Sequence, residues 1–243
     1  MEWEAPGIIL DVRPHGEGDA VATVMTEAHG THRGLARGAQ SRTKAALWQP
    51  GNLVQLRWVG RLSEQLGSLS AEMVHPAAAV VMDDALQLAM LTSACAVAEG
   101  ALVEREPQPA VFDGLLHLLA RLPTGAAMLA ELVRWEVLLL AALGYGLDLS
   151  SCAVSGEAED LVGVSPRTGR AVSAAAAGVW RDRLLPLPGF LQGGAGDAAG
   201  WRDGLRLTGH FLERDAFGHH HRPLPQPRRA LYDRVCILAE SET

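Results

Sequence analysis

Ala126–Cys152, with the sequence AAMLAELVRWEVLLLAALGYGLDLSSC, is the stretch that decides the fold. Within Trp135–Leu143 only Glu136 is polar. A helix that is apolar on nearly every side must be surrounded by other elements, so we predict a core helix around which the rest of the chain packs. The run is too short to span a bilayer, which needs about 20 apolar residues. Gly144 and Gly146 supply the backbone conformations that end a helix.

The composition is that of an ordinary globular protein. The chain has 243 residues, of which 48% are hydrophobic, enough for one large or two small domains with real cores. It opens with MEWEAPG rather than an apolar leader, and no run of 18 apolar residues occurs. Its three cysteines, Cys95, Cys152 and Cys236, are odd in number and far apart, which argues against a disulfide framework. We therefore expect a cytoplasmic protein with no membrane contact.

Charge is distributed unevenly along the chain. The net charge of −7 alone speaks against a nucleic-acid partner. Residues 1–76 carry seven basic and eight acidic side chains, residues 77–163 three and twelve, and residues 164–234 eleven and six. The acid is thus concentrated in the middle. We expect the charges to be segregated on two sides of the molecule. One side would be acidic, and the other would bear the basic residues of the first segment with Arg202, Arg206, Arg228 and Arg229.

The first third of the chain predicts five short strands. Gly7–Arg13 alternates, with Ile8, Leu10 and Val12 opposite Ile9, Asp11 and Arg13, as a half-buried strand does. The predicted strands are Gly7–Arg13, Ala20–Thr26, Thr31–Arg37, Leu53–Val59 and Leu66–Val74, with a connecting segment at Ser41–Trp48 and a loop at Arg61–Gln65. A longer connection after the third strand is typical of a Greek-key barrel of the OB type. Pro76 closes it, which predicts a first domain over 1–76.

Barrels of this type bind single-stranded nucleic acid through a basic groove and through aromatic side chains on which bases stack. The candidate cations are Arg13, Arg33, Arg37, Arg42, Lys44, Arg57 and Arg61, and the candidate stacking residues are His15, His32, Trp48 and Trp58. A strand arginine is more often a solvated outer-face residue, and Trp58 on the apolar face is more often core. Five-stranded barrels also bind proteins, so the fold alone does not settle function. A protein-only adaptor that binds partners through its helical domain, without contacting DNA, is the alternative.

After Pro76 the chain becomes rich in alanine and leucine, which predicts a helical second domain over 77–243 and an α+β fold. The predicted helices are Ala79–Ala101, Ala110–Arg121, the central helix, Trp201–Arg214 and Arg228–Leu238. Residues 150–191 lose helical periodicity and predict a small irregular insertion of two knuckles joined by a hairpin. A C-x2-C pair at each knuckle would indicate zinc, but only Cys152 is present, and one thiolate does not hold zinc.

Motifs of catalysis are missing from the sequence. It contains no G-x-x-x-x-G-K-[ST] phosphate loop, no G-x-S-x-G elbow and no H-E-x-x-H helix. His219–His221 has no acidic partner at ligand spacing, so we interpret it as a solvated loop. We therefore expect neither an enzyme nor a cofactor. A hydrolase built on His210 and His219–His221 is the weakest alternative.

Several different short motifs occur along the chain in a characteristic order. They are Gly7–Asp19, His29-Gly30, Arg37-Gly38-Ala39, Gln49–Asn52, Arg134–Leu140 with Leu143–Gly146, and Ser165-Pro166 through Gly169. In this order and spacing the chain resembles the RecO family of bacterial DNA repair proteins over most of its length. The resemblance implies an N-terminal OB barrel and a helical domain. It also implies a recombination mediator of the RecF-type pathway that binds single- and double-stranded DNA and anneals complementary strands.

The resemblance further implies protein partners and a place in the cell. Such mediators act with RecR to load the recombinase RecA onto DNA coated by single-strand binding protein, and they contact the C-terminal tail of that binding protein. We therefore expect a cytoplasmic, nucleoid-associated protein. In many family members cysteines of a zinc knuckle stand at the positions occupied here by Cys152, Ser155, Ser173 and Ala176. Three of the four are replaced, so the chain resembles the metal-free branch.

Arg134 has two interpretations. From the residues alone it lies one turn after Glu131, where an i,i+3 ion pair forms. The resemblance implies a second role, because Arg134 and Trp135 match the family's R-[FW]-E-x-x-L-L stretch, whose arginine takes the terminal carboxylate of the binding protein's tail. A guanidinium can bind such a carboxylate bidentately. The two roles are compatible if Glu131 orients Arg134.

Overall fold

The first part of the chain is a closed five-stranded barrel; the computed structural model describes residues 1–61 and 66–241. Its strands are β1 (Glu2–His15), β2 (Asp19–Thr26), β3 (Gly30–Ala36), β4 (Leu53–Val59) and β5 (Gly67–His75). Their order around the barrel is β1-β2-β3-β5-β4, with β1 also paired to β4 and with β3 and β5 parallel. The predicted OB-type barrel is therefore confirmed. Of the predicted loop Arg61–Gln65, residues 62–65 lie outside the described ranges.

Strand β1 pairs with both β2 and β4 and carries a bulge. Its register against β2 shifts between Ile9 and Asp11. Ile8, Ile9 and Leu10 are all buried. The strict alternation predicted for this strand is therefore wrong at the bulge, because one extra residue moves the side chains that follow it to the other face.

Trp58 is the most deeply buried tryptophan of the barrel core. It is 2% exposed, and its Nε1 donates a hydrogen bond to the carbonyl oxygen of Arg33 at 3.3 Å. Gly60 and Gly67 lie against the indole, where a Cβ atom on either residue would overlap the ring. The interpretation of Trp58 as a core residue is therefore confirmed.

Three helices follow the barrel: α1 (Ala77–Val81), α2 (Ala85–Ala101) and α3 (Pro109–Arg121). The single helix predicted over Ala79–Ala101 is wrong, because the chain leaves helical geometry before Asp84. The Asp84 carboxylate accepts hydrogen bonds from the backbone N–H groups of Leu86 and Gln87, both at 2.9 Å. An aspartate that caps a new helix in this way satisfies donors that have no partner inside the helix.

The segment after α2 is joined to the barrel by backbone hydrogen bonds. The N–H of Arg105 donates to the carbonyl oxygen of Thr31 at 2.8 Å, and the Thr31 hydroxyl donates to the carbonyl oxygen of Val103 at 3.1 Å. The chain accordingly divides into two compact units, Met1–Gly125 and Ala126–Thr243. Helices α1–α3 therefore belong to the same compact unit as the barrel. The predicted domain boundary between residues 76 and 77 was placed at the end of the barrel, and it stays a prediction.

The second unit consists of helices and a small sheet. Its elements are α4 (Met128–Ala142), β6 (Leu161–Val164), β7 (Ala171–Ser173), α5 (Ala174–Ala177), β8 (Leu185–Pro186), α6 (Ala198–Phe211) and α7 (Gln226–Ser241). A π-helical segment, Leu212–Phe217, continues α6. β6 lies between β7 and β8 and pairs antiparallel with both, so a hairpin lies inside the irregular insertion, as predicted.

Helix α4 is the predicted central helix, and most of its side chains are buried. Leu129, Leu132 and Leu140 are completely enclosed, whereas Leu138 is exposed. One narrow face of the helix therefore reaches the surface of its unit. Across the described ranges, no helix combines the length and apolar character needed to cross a membrane.

Candidate nucleic-acid interface

Three of the seven predicted DNA-binding cations already have acidic partners. Arg13 pairs with Asp11 at 2.6 Å and with Glu99 of α2 at 3.1 Å. Arg33 pairs with the same Glu99 carboxylate at 3.4 Å. Arg57 pairs with Glu2 at 2.6 Å and with Glu4 at 3.5 Å. The expectation that the carboxylates lie away from the arginines is therefore wrong for these strands.

Four predicted cations carry their charge without such a partner. Arg37, Arg42, Lys44 and Arg61 are all exposed. Within the described residues none of the four forms an ion pair, in contrast to the three strand arginines. Three of them belong to or flank the connection between β3 and β4. The uncompensated positive charge of the barrel therefore lies mainly on that connection rather than on its strands.

Arg37 and Lys44 line a cleft of about 330 Å³ on the barrel. The barrel cleft is lined by Leu35, Arg37, Lys44, Leu47, Trp48, Arg57, Val59, Ser68, Leu69, Ser70 and Ala71. These residues come from β3, β4, β5 and the connection that follows β3. The cleft therefore combines cations and hydroxyl donors, which suit phosphate oxygens, with apolar surface, which suits the face of a base.

Hydrogen bonds hold the connection in place beside the cleft. The Asp19 carboxylate accepts from the N–H of Gly38 at 2.7 Å, and Lys44 Nζ donates to the carbonyl oxygen of Arg37 at 3.3 Å. Asn52 Nδ2 donates to the carbonyl oxygens of Ala46 and Leu47 at 2.9 and 3.0 Å. A segment fixed in this way presents its cations with little further ordering, which lowers the entropic cost of binding.

The predicted stacking residues are mostly buried, which corrects the hypothesis for three of the four. Trp58 lies in the barrel core, and Trp48 is 5% exposed and only lines the cleft. His32 is buried among rings, 5.8 Å from the Trp58 ring centroid and 5.2 Å from that of Trp3. His15 is exposed. Trp48, Trp58 and His32 pack in the interior of the small barrel, so they cannot stack on bases as the sequence predicted.

His32 is a buried titratable group of the barrel. Its Nδ1 has no hydrogen-bond partner among the described residues. Burial, with the nearby charge of Arg105, lowers the pKa of His32 from its ordinary value. His32 is therefore a neutral packing residue, which makes it unsuited to phosphate binding.

The structure separates the two residues predicted to bind the acidic tail. Arg134 Nη1 donates to Glu131 at 2.7 Å, and Nη2 donates to the carbonyl oxygen of Phe190 at 2.8 Å. The predicted i,i+3 pair is therefore present, and the Arg134 side chain stays 40% exposed. Trp135 is 3% exposed. Of the two, only Arg134 is accessible to a peptide, and Trp135 is a core residue.

The knuckle positions surround a single buried thiol. Cys152 Sγ accepts from the N–H of Ser173 at 3.3 Å and from its hydroxyl at 3.4 Å. Hydrogen bonds from Ser155 and then Ser173 lower the pKa of Cys152 to about 6. Within the described residues no group of three or more His, Cys, Asp or Glu side chains could hold a metal ion. Ser155 and Ser173, which stand where the zinc-knuckle pattern has cysteines, thus form hydrogen bonds to the Cys152 sulfur instead of binding a metal with it.

A buried ionic cluster in the second unit was not predicted. Arg228 Nε lies 2.5 Å from Glu136 Oε1, and Nη2 lies 3.0 Å from Oε2. Thr208 donates to the same carboxylate at 2.5 Å. Arg228 is therefore removed from the predicted basic side, because its guanidinium is enclosed. Glu136, the one polar residue within Trp135–Leu143, was the available signal, although nothing local identified its partner.

The three further predicted cations of this unit differ in their surroundings. Arg202 pairs with Asp203 at 2.9 Å, which also raises the pKa of its guanidinium. Arg206 and Arg229 line a cavity of about 520 Å³ between α6 and α7 together with Glu213 and Asp233. Around this cavity basic and acidic side chains are therefore mixed rather than segregated.

Two of the four histidines of the hydrolase alternative, His210 and His219, make structural contacts. His210 Nε2 lies 3.1 Å from the carbonyl oxygen of Pro166, and the His219 ring stacks on Tyr145 with 5.6 Å between centroids. Neither contact involves a nucleophile or an acid. The geometry gives the hydrolase alternative no support.

Comparison with known proteins matches this architecture to one family. The family model described as "Recombination protein O N terminal" matches residues 1–77, and "Recombination protein O C terminal" matches residues 82–223. A protein named "DNA repair protein RecO" from Granulibacter bethesdensis is 57% identical to this chain over 100% of it and 98% of its own length. One of the same name from Gluconacetobacter diazotrophicus is 54% identical over 98% of the chain and 96% of its own length. A protein of the same name from Acidiphilium cryptum is 56% identical over 97% of the chain and 96% of its own length. The chain therefore belongs to the recombination protein O family.

Proposed function

We propose that this protein is a DNA-binding recombination mediator that acts in DNA repair, in the cytoplasm at the nucleoid. It binds single- and double-stranded DNA, anneals complementary strands and, with RecR, helps to load RecA onto DNA coated by single-strand binding protein. Family membership supports the repair role, since the relatives are named DNA repair proteins. The proposed chemistry is non-covalent and requires no cofactor.

The barrel cleft is the observation that carries the DNA-binding proposal. Arg37 and Lys44 line it without an acidic partner among the described residues, and Ser68 and Ser70 add hydroxyl groups. Exposed cations without partners release condensed counterions when they meet phosphates, which is the main source of affinity for nucleic acid. Paired arginines contribute less, because their carboxylates stay close to the phosphate. The net charge of −7 is therefore compatible with DNA binding at one local site.

Matched charge removals test this assignment. Arg37→Gln with Lys44→Gln removes two uncompensated charges, and Arg13→Gln with Arg33→Gln removes two that Asp11 and Glu99 already neutralise. We expect the first pair to weaken binding of a fluorescent oligonucleotide at low salt by about tenfold and the second to change it much less. Equal losses would show that the strand face, not the cleft, contacts DNA. Unchanged affinity in both would remove the barrel from the DNA site.

Contact with the acidic tail of single-strand binding protein is proposed at Arg134. Its guanidinium is partly exposed and already fixed by Glu131 and the Phe190 carbonyl. A guanidinium held at its edges still presents N–H donors to a carboxylate. The guanidinium carbon of Arg134 also lies 5.5 Å from the centroid of the buried Phe190 ring, a contact that helps to fix its position. Arg134 is thus the proposed anchor, without Trp135.

The adaptor alternative is favoured by the ion pairs of Arg13, Arg33 and Arg57, which neutralise almost half of the predicted basic groove. An adaptor would bind protein partners and leave DNA alone. Titration of the full chain with an oligonucleotide at low salt separates the two functions. Binding that is detectable only as salt approaches zero and does not depend on Arg37 or Lys44 would favour the adaptor.

A further inference from the structure

A short tip of the second unit exposes an aromatic side chain between two arginines. Residues Gly178–Arg183, GVWRDR, form a six-residue 3-10 helix in which every residue is exposed. Trp180 is 58% exposed and Val179 is 89% exposed. By contrast, Trp48, Trp58 and Trp135 are at most 5% exposed. Burial of an indole is strongly favourable, so an exposed one at the end of a turn indicates a contact surface.

The tip is built on fixed elements. Ala177, directly before it, is buried in the core of the small sheet, and Leu185, directly after Leu184, pairs with Val164 of β6. Gly178 has a φ of 45°, a conformation that favours glycine and turns the chain outward. The exposed side chains are therefore presented by a short loop with both ends anchored.

Trp180 and Arg183 are stacked on one another. The guanidinium carbon of Arg183 lies 5.1 Å from the centroid of the indole ring. Within the described part of the chain neither Arg181 nor Arg183 forms an ion pair, and both are exposed. The result is a layered aromatic and cationic surface, on which a planar base can stack while the arginines meet its phosphates.

We infer that this tip, Gly178–Arg183, is a second contact for single-stranded DNA, in which Trp180 stacks on an unpaired base and Arg181 and Arg183 bind the flanking phosphates. The inference rests on the proposed DNA-binding function and adds a site on the second compact unit. An acidic peptide would match the charge as well. It requires a concave groove for its side chains, however, whereas Val179 and Trp180 protrude into solvent.

Tryptophan emission gives a direct test, because Trp180 is 58% exposed, whereas Trp3 and Trp201 are partly buried and the other three tryptophans are buried. The full-length protein is titrated at low salt with unlabelled oligothymidylate, and binding is followed by emission and by competition with a labelled oligonucleotide. We expect stacking to quench the wild-type emission. Trp180→Phe should lose most of this quenching and keep its affinity, because phenylalanine still stacks.

Trp180→Ala should weaken binding about tenfold, which is what loss of one stacked base produces. Val179→Ala is the matched control, since it shortens a neighbouring, even more exposed apolar side chain that cannot stack, and it should leave affinity unchanged. Thermal unfolding should be the same for all three variants, because the substituted side chains are exposed. A variant with a lowered melting temperature is replaced by Arg181→Gln with Arg183→Gln, which should reduce the salt dependence of binding.

The outcomes separate this inference from the proposed function. If Trp180→Ala and the arginine variant bind like wild type while Arg37→Gln with Lys44→Gln weakens binding, the tip is excluded and the barrel site stands. If neither the tip variants nor Arg37→Gln with Lys44→Gln weakens binding, both the tip contact and the barrel site are overturned. If an acidic peptide quenches Trp180 and oligothymidylate does not, the tip binds peptide and the inference is wrong.

Discussion

Glu136 and Arg228 lie 92 positions apart in the chain and form an ion pair that is almost completely enclosed, with exposures of 0% and 1%. Arg228 also donates to the carbonyl oxygen of Leu205 at 2.8 Å and to Thr208 at 3.2 Å. Both charges therefore have hydrogen-bond partners in addition to one another. The pair joins the start of α7 to the middle of α4, and to α6 through Thr208.

Breaking this pair should cost far more than breaking the exposed one on the same helix. Glu136→Leu leaves the Arg228 charge buried without its partner, which should lower the free energy of unfolding by about 3–5 kcal/mol in a urea titration. Glu131→Gln removes the exposed pair with Arg134 and should cost less than about 1 kcal/mol. Glu136→Leu combined with Arg228→Met should recover most of the loss. A double variant as unstable as the single one would contradict this explanation.

The salt dependence of DNA binding should be modest. If phosphates are neutralised by the four barrel cations that form no ion pair among the described residues, Arg37, Arg42, Lys44 and Arg61, the logarithmic slope of affinity against salt for a single strand should be about −0.7 per contact, or roughly −3 in total. Contacts of Arg181 and Arg183 with phosphates would bring the slope to roughly −4. All seven predicted cations would produce roughly −5. Fluorescence anisotropy over a range of salt concentrations measures the slope. A value near −5 would show that the paired arginines leave their carboxylates to bind DNA.

Arg134→Ala should abolish binding of a peptide with the acidic C-terminal tail of single-strand binding protein and leave oligonucleotide affinity unchanged. Arg134→Lys should recover little, because an ammonium group cannot bind a carboxylate bidentately. Isothermal titration of the peptide measures both variants. Trp135→Ala is predicted to lower the free energy of unfolding by about 3–5 kcal/mol, as for a buried tryptophan. Full peptide affinity in Arg134→Ala would move the site elsewhere.

Acid should destabilise the barrel through His32. Burial lowers its pKa in the folded protein, so the folded state binds fewer protons than the unfolded chain. Stability is therefore fully present above about pH 6.5, the ordinary value, and falls as the pH is lowered through it. His32→Phe keeps a ring in the cluster and should flatten the melting temperature between about pH 7 and 5. His15→Phe, at an exposed position, should leave that slope unchanged; equal slopes in all three proteins would exclude His32.

The barrel was predictable because its signals are local. Alternation of apolar side chains placed Leu53–Val59 at the observed bounds of β4. Glycine and proline clusters placed the turns between the other strands. Local patterns failed where a tertiary contact or a cap competed with them. The bulge after Ile9 and the helix start at Asp84 are the two examples, since each is stabilised by bonds that alternation and helical periodicity do not describe.

The candidate site was predictable only as a set of charges. Which cations stay available depends on partners distant in sequence, as with Glu99, which lies 86 positions from Arg13 and 66 from Arg33. No pattern within a strand indicates such a contact. The same holds for Arg228, whose neighbours predict an exposed helix and whose actual partner is on α4. Charge counts along the sequence therefore overestimated the basic surface.

The hydrogen bonds between Thr31 and the segment after α2 have a practical consequence for work with fragments. A polypeptide cut after residue 77 would lose Val103, Arg105 and Glu99 together. It would uncover backbone groups at the start of β3 and remove the carboxylate that pairs with Arg33, while Arg13 would keep Asp11 as its partner. Such a fragment should aggregate more readily and adsorb polyanions more strongly than its parent, so affinities measured on it would be inflated.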